Sequence, residues 1–462
     1  MKHSLLIVIL SIFSMPAILH AEGGNDFLWK AGTARVVITP EKPVWLAGYA
    51  ARKKPADGKL HDLWVKALSL EDATGHRVLL ITMDLLGVDR HFSEKLSRQL
   101  MEKYGLMRSD IILSSSHTHS GPVINENAKL IYPPFDSEMQ KRLDENKQFV
   151  FNQILIAAER AMNNMHPALV SRGVGIARFA VNRRENKADE VLYASQLKGP
   201  TDHSVQVLLI TDPDEHVKTL VFGYACHATC LDINKYSGDY PGYAQIELEK
   251  AYPGATAMFF AGCGADQNPI PRRSIPLARQ YGKELAAAVE RVVEEPMRPL
   301  KSGLITQYNV IKLGFTDIPG NKQLDEIINS EEPDYIKRWA VDMKKRIAAG
   351  EKFPDGYPYY PVQTWQLGDL SLAVLGGEVV SGYAIKLRSK LGNDLMIMAY
   401  ANDVMAYIPT EKVLAEGGYE GKSSMRVYNQ PGYWAAGLEN IIVDEVVRQV
   451  KNNLKSAGLT QR

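Results

Sequence analysis

Ile111-Ile112-Leu113-Ser114-Ser115-Ser116-His117-Thr118-His119-Ser120-Gly121-Pro122 is the stretch around which the chain is organised. It opens as an apolar strand and runs out into a polar turn that carries histidines. Side chains alternate across a strand with period two, so the spacing predicts that His117 and His119 face the same side. Two imidazoles on one face at a strand end make half of a transition-metal site.

The same pattern recurs along the chain. The apolar run from His216 to Cys226 leads straight into His227. Thr256–Phe260 ends in the Gly-rich turn Ala261-Gly262-Cys263-Gly264-Ala265-Asp266-Gln267-Asn268-Pro269. Leu370–Leu375 feeds Gly376-Gly377-Glu378, and Met396–Ala401 ends in Asn402-Asp403. Binding and catalytic groups are commonly carried on loops held by a rigid scaffold. Two histidines, a glutamate and one further ligand would satisfy Zn²⁺.

Between these points strands and helices interleave. Leu63–Leu70 with Arg77–Asp84, Ser204–Asp212 with His216–Cys226, and Val362–Leu367 with Leu370–Leu375 read as hairpins. Helical periodicity marks Ser93–Tyr104, Ser137–Met162, Tyr243–Ala251, Ser274–Glu294, Asp325–Ala349, Ser381–Leu391 and Gly437–Leu454. Phe353–Pro361 reads as an aromatic loop, a substrate platform or a packed lid. The hairpins argue for an α/β (α+β) fold of central mixed, largely antiparallel sheets flanked by helices.

The chain of 462 residues is 45% hydrophobic and 23% charged, an ordinary globular composition. A net charge of +1 gives no broad basic field, so neither nucleic acid nor an anionic membrane is expected as partner. Met1-Lys2-His3, an apolar run from Leu5 to Leu19 and then His20-Ala21-Glu22 read as a secretory signal cleaved after Ala21. That run is too short for a comfortable spanning helix. The expectation is an exported protein, periplasmic or secreted, with residues 22–462 forming one catalytic domain. Cys226, Cys230 and Cys263 make no disulfide framework and read as small buried residues. Oligomeric state is not legible.

Several segments together resemble the neutral/alkaline (non-lysosomal) ceramidase family. They are Ser116–Pro122, Asn182-Arg183, Cys226-His227-Ala228, Gly238-Asp239-Tyr240-Pro241-Gly242, Gly377-Glu378, and Asn402-Asp403 through Tyr407-Ile408-Pro409-Thr410-Glu411 to Tyr419-Glu420-Gly421. The resemblance implies a zinc site on His117, His227, Glu378 and Tyr407. It implies a second histidine, His119, near the reacting group, a substrate-side arginine at Arg183 and an active-site tyrosine at Tyr419. It also implies that the Ig-like C-terminal domain carried by many family members has no room here. One departure matters: Asn268 stands where the family has its nucleophilic serine, and an amide cannot serve as an activated alkoxide.

The expected function is therefore hydrolysis of an amide or related bond with a zinc-activated water, and Asp266 or His119 as proton acceptor. Arg183, Tyr419 or the amide of Asn268 are the oxyanion donors. A zinc enzyme acting on glycans and a non-catalytic ligand-binding homologue stay open beside it. Substrates are a small molecule, lipid or glycan. Arg52, Arg272 and Arg273 would favour an anionic substrate if they line the same mouth.

Overall fold

The computed structural model describes residues 26–186 and 197–459. The proposed signal segment lies outside the described residues. The main sheet contains β1 (Trp29–Val37), β2 (Trp64–Glu71), β3 (Arg77–Met83), β4 (Ile111–Ser115), β5 (His166–Ile176) and, after the short β6 (Ala180–Asn182), β7 (Ser204–Thr211), β8 (Val217–Tyr224) and β9 (Thr256–Ala261). Its order is β4-β3-β2-β1-β5-β7-β8-β9. Only the outer pairs β3/β4 and β8/β9 run parallel along this path. The three-residue β10 (Gln267–Pro269) pairs antiparallel with β6, and β11 (Arg298–Pro299) pairs with β5. The second sheet joins β12 (Leu304–Thr316), β13 (Gly356–Leu367), β14 (Leu370–Leu375), β16 (Met396–Met398) and β18 (Tyr433–Trp434). Between these fall β15 (Glu378–Val379) and β17 (Tyr407–Ile408), which pair parallel with each other.

The period-two patterns sort side chains into layers. Leu68, Leu80, Ile112, Val221 and Phe260 pack against Trp365, Leu367, Leu372 and Met396 of the second sheet. The alternate residues of β2–β4, Val65, Ile81 and Leu113, meet the helices α1 (Arg90–Tyr104) and α2 (Ser137–Asn163). Those of β8 and β9, Phe222 and Phe259, share a core with α3 (Asp239–Ala251) and α4 (Ile275–Glu294). The outer face of the second sheet carries the last long helix, Leu438–Ser456, through Ile442 and Val446. Helices thus cover two stacked, mixed sheets from outside. The three hairpins form as the sequence predicts.

Two readings need correction. The charged stretch Asp325–Ala349 is not one helix. It divides into Asn321–Ile328 and Asp334–Ala348 around Pro333, whose ring fixes φ and removes a backbone donor. The aromatic stretch is not a loop either. Tyr357 to Pro361 belong to β13 and pair with β12, so Tyr360 is buried while Tyr359 packs beneath Arg90. All three cysteines are buried free thiols.

The sheet curls until its edge strands β4 and β9 approach each other. A short strap closes the gap. Ala399 N donates to Ala261 O at the end of β9 (2.8 Å), and Asn402 N donates to Leu113 O in β4 (2.7 Å). Asn402 also accepts from Leu113 N and donates to Gln363. Its φ of 63° lies in the left-handed region that asparagine tolerates. The strap brings the loops after β4, β8, β9 and β14 together.

Gly377 makes the last of these loops possible. Its φ is +76°, and a Cβ there would fall 2.6 Å from Ile408 Cγ1 and 2.8 Å from Ala406 O. Gly377→Ala is expected to destabilise the protein by about 1–3 kcal/mol through strain and overpacking. Urea unfolding monitored by circular dichroism checks this, and an unchanged midpoint would refute it.

Candidate active site

His117 and His119 do converge, but not by strand alternation. β4 ends at Ser115, and His117 adopts a φ of +57°, so a turn brings the two rings together. His119 Nε2 lies 3.3 Å from His117 Nε2. Gly48 leaves the room: a Cβ at its φ of +95° would sit 2.3 Å from His119 Nδ1. His227 follows β8, and its ring centroid lies 4.8 Å from that of His117. The parallel register of β15 with β17 sets Glu378 beside Tyr407.

These side chains aim their acceptors at one another. Glu378 Oε2 is 3.1 Å from His117 Nε2 and 3.1 Å from His227 Nε2. Tyr407 Oη is 3.2 Å from His227 Nε2. The opposite ring nitrogens face carbonyls: His117 Nδ1 lies 2.6 Å from Leu86 O and His227 Nδ1 lies 3.0 Å from Gly264 O. Those carbonyls place the proton on Nδ1 and leave each Nε2 with a bare lone pair. Burial, then Arg183, lowers the pKa of His227 to about 4, and burial, then His117 and His227, holds His119 well below its usual value. Glu378 Oε2 thus faces two ring lone pairs and is buried without a hydrogen-bond donor, while the Tyr407 phenol, which keeps its proton, can donate to His227 Nε2.

A cation resolves the repulsion of these lone pairs. Tetrahedral ligands about 2.0–2.1 Å from Zn²⁺ stand about 3.3 Å apart, close to the separations here. His117, His119 and His227 form a group that could hold a metal ion, and Glu378 and Tyr407 complete its surroundings.

Outer contacts fix these groups. Tyr428, which no sequence pattern singles out, donates its hydroxyl to Glu378 Oε1. The Tyr400 ring lies 4.4 Å from that of His117. The β6/β10 pair sets Arg183 beside Asp266, with Arg183 N donating to Asp266 O (2.8 Å). Arg183 then reaches three ways. Nη2 donates to Tyr407 Oη (3.1 Å), Nε to Glu420 (2.7 Å), and Nη1 lies 3.5 Å from Asn268 Oδ1. Burial opposes its charge, but Tyr407 and Glu420 outweigh that and keep it protonated.

Asp266 is engaged away from the histidines. Its carboxylate accepts from Ser381 N, Ser381 Oγ and Asn182 Nδ2. It ties the segment after Glu378 to the loop that carries Arg183, which makes it a positioning group rather than the proton acceptor that its place in the turn suggested. Asn268 is buried, and its Oδ1 also accepts from Thr229 Oγ1 (3.3 Å). Among the described residues its Nδ2 donates to no side chain.

A cavity of about 510 Å³ opens over this floor, lined by Arg183, Arg184, Asn186, Asn268, Ile270, Arg272, Tyr419 and Glu420. The Tyr419 ring packs 5.2 Å from Tyr407 and stays exposed. Arg52 does not join this lining. It is buried, and it donates to Ala47 O and Ile233 O. A larger cavity, about 1040 Å³, lies elsewhere against Arg172, Arg298 and Leu454; neither cavity has a histidine of the cluster in its wall, but the smaller one holds Asn268 and Arg183, and Arg183 contacts both Asn268 and Tyr407.

The chain matches the sequence profile described as "Neutral/alkaline non-lysosomal ceramidase, N-terminal" over residues 29–268, just over half its length. Neutral ceramidase of Drosophila melanogaster is 24% identical over 258 residues, covering 52% of this chain and 36% of that protein. Neutral ceramidase A of Dictyostelium discoideum is 23% identical over 274 residues, covering 55% and 37%. The matches thus span little more than a third of these curated relatives. The crystal structure of neutral ceramidase from Pseudomonas aeruginosa superposes with a TM-score of 0.71 at 19% identity, covering 92% of this chain and 75% of that one. No helix among the described residues is long and apolar enough to cross a membrane. The chain belongs to the neutral/alkaline non-lysosomal ceramidase family.

Proposed function

We propose that this chain is an exported zinc-dependent hydrolase of the neutral ceramidase type, cleaving an amide (N-acyl) bond or a chemically related one. The observation that carries the reading is the convergence of His117 Nε2, His227 Nε2 and Glu378 Oε2, each pair 3.1 Å apart about Glu378, with both Nδ1 atoms turned to carbonyls. His117, His227, Glu378 and Tyr407 would hold the ion. Zinc in such a site lowers the pKa of water to about 7 and so supplies a nucleophile without a serine.

The chain's own groups do the rest. His119, kept neutral by burial and by its neighbours, accepts the proton released on attack. Arg183 stays charged and orients the phenol of Tyr407 and the amide of Asn268. With Oδ1 of Asn268 occupied by Arg183 and Thr229, its Nδ2 is left to donate to a developing oxyanion. Tyr419 offers a second donor at the mouth. The apolar run near the N-terminus supports export, and residues 22–462 are taken as one catalytic unit. A non-catalytic homologue is the second reading, favoured by Asn268 in place of a nucleophile. Glycan or glycoconjugate substrates are the third, favoured by the basic mouth.

Purified protein is expected to hold about one zinc per chain, and His117→Ala or Glu378→Gln to hold well under half of that by emission spectroscopy. Full retention in both variants would remove the site from these residues. Acid should weaken the metal-stripped protein. With the His227 pKa depressed to about 4 against an unfolded value of about 6.5, the unfolded chain binds more protons between those limits. The stability contribution of neutral His227 is therefore full above about pH 6.5 and is lost as pH falls toward about 4. Melting temperature measured against pH checks this, and His227→Gln should flatten the slope.

Asn268→Ala is expected to lower kcat for an N-acyl substrate by about a hundredfold or more, as loss of an oxyanion donor does. Asn268→Ser tests the other role: equal loss supports the amide as donor, whereas a rate above wild type points to a serine nucleophile. Fatty-acid release from ceramide and simpler N-acyl amides, with and without added zinc, provides the assay. No release under either condition would sink the hydrolase reading.

A further inference from the structure

The cavity over Asn268 is unevenly charged. Arg183 and Arg184 are both paired with Glu420, and Arg184 also with Glu416. Arg273, whose guanidinium lies over the Tyr49 ring, reaches Asp232 at 3.3 Å. Arg272 differs. Among the described residues it has no carboxylate partner, and its one hydrogen bond runs from Nη1 to Thr229 Oγ1 at 3.3 Å. It is partly buried on the cavity wall, with Arg273 and Arg183 as like-charged neighbours. A half-buried cation facing two others, with no counter-charge, is costly unless something anionic comes to meet it. An arginine is also the side chain whose planar fork fits an oxyacid.

Its position relates it to the chemistry. A continuous run of polar contacts leads from His227 through Tyr407, Arg183, Asn268 and Thr229 to Arg272, each step between 3.1 and 3.5 Å. Arg272 therefore stands at the outer end of the chain of groups whose inner end is the metal-binding cluster.

We propose that the substrate carries a carboxylate a few bonds from the scissile amide, and that Arg272 is the residue that receives it. The substrate class is an N-acyl compound with an anionic amine portion rather than a neutral one. The class rests on the amide reading above; the recognition of an anion by Arg272 does not.

The test separates the two. Binding of N-lauroylglycine and N-lauroyl-γ-aminobutyrate is compared with binding of the matching alcohols, N-lauroylethanolamine and N-lauroyl-4-aminobutanol, by calorimetry on the full chain with zinc. Hydrolysis of the same compounds is followed in parallel. Wild type is expected to bind the better of the two acids at least tenfold more tightly than its alcohol, with the preference shrinking as salt is raised. Arg272→Gln should abolish that preference while leaving the alcohols' affinity within error and without lowering the melting temperature, and Arg272→Lys should keep part of it. In turnover, the Arg272→Gln effect should fall on KM rather than kcat. Equal binding of acids and alcohols by wild type, binding of none of them, or a preference that survives in Arg272→Gln overturns the proposal. An acid preference without hydrolysis supports anion recognition and instead defeats the amidase reading.

Discussion

The backbone hydrogen bonds of one short strap hold the site together, from Ala399 to the end of β9 and from Tyr400 and Asn402 to β4. β4 and β9 are the opposite edges of the main sheet, and edge strands leave backbone groups unpaired. The strap supplies partners to both edges at once. It costs two residues in unusual conformations, since Tyr400 and Asn402 both have positive φ. Such strain persists only where the surroundings over-determine it. Here the side chain of Asn402 supplies further bonds, to Leu113 and Gln363. Without the closure, His117 after β4 and His227 after β8 would belong to distant parts of one open sheet.

Closure alone would produce a destabilised cluster. Buried acceptors facing one another are tolerable only if their opposite faces are satisfied and their centre takes up a positive charge. The outer contacts do the first. Leu86 and Gly264 carbonyls fix the imidazoles, Tyr428 holds Glu378, and Glu420 with Tyr407 holds Arg183. Partners of this kind orient metal ligands and set their tautomers. Asp266 belongs to the same outer set, joining the Glu378 segment to the Arg183 loop through Ser381 and Asn182.

The sheets were legible in the sequence because strands buried on both faces read as short continuous apolar runs bounded by turn residues. Leu68, Leu80 and Phe260 face the second sheet and their neighbours face helices, so the hairpins read correctly. His117, His227 and Glu378 were legible because each follows such a run. His117 meets His119 through the turn at His117 and not through strand alternation. Arg52 follows the same lesson: a charge near a Gly-containing loop says nothing of whether it faces a cavity or a carbonyl. Tyr428 could not be found, and Glu420 was visible only as part of a motif, without its role. Both act through long-range hydrogen bonds or ion pairs, and no local pattern encodes the partner's distance along the chain.

Asn268 shows why a single position can redirect a site. A serine hydroxyl donates and accepts through one atom that rotates freely, so it can lose its proton and attack. An amide separates the two roles onto two atoms in a fixed plane. Arg183 and Thr229 occupy the oxygen, which commits the nitrogen to the remaining direction. A floor that only donates cannot begin a displacement, but it can hold negative charge as it forms. With Arg183 behind it and Arg272 at the rim, the cavity carries donors from its floor to its edge, its carboxylate Glu420 being paired to Arg183 and Arg184, and the groups able to take a proton lie deeper, among His117, His119, His227 and Glu378. The chemistry that fits such a division is attack by water from the inside on a group whose charge is received on the outside.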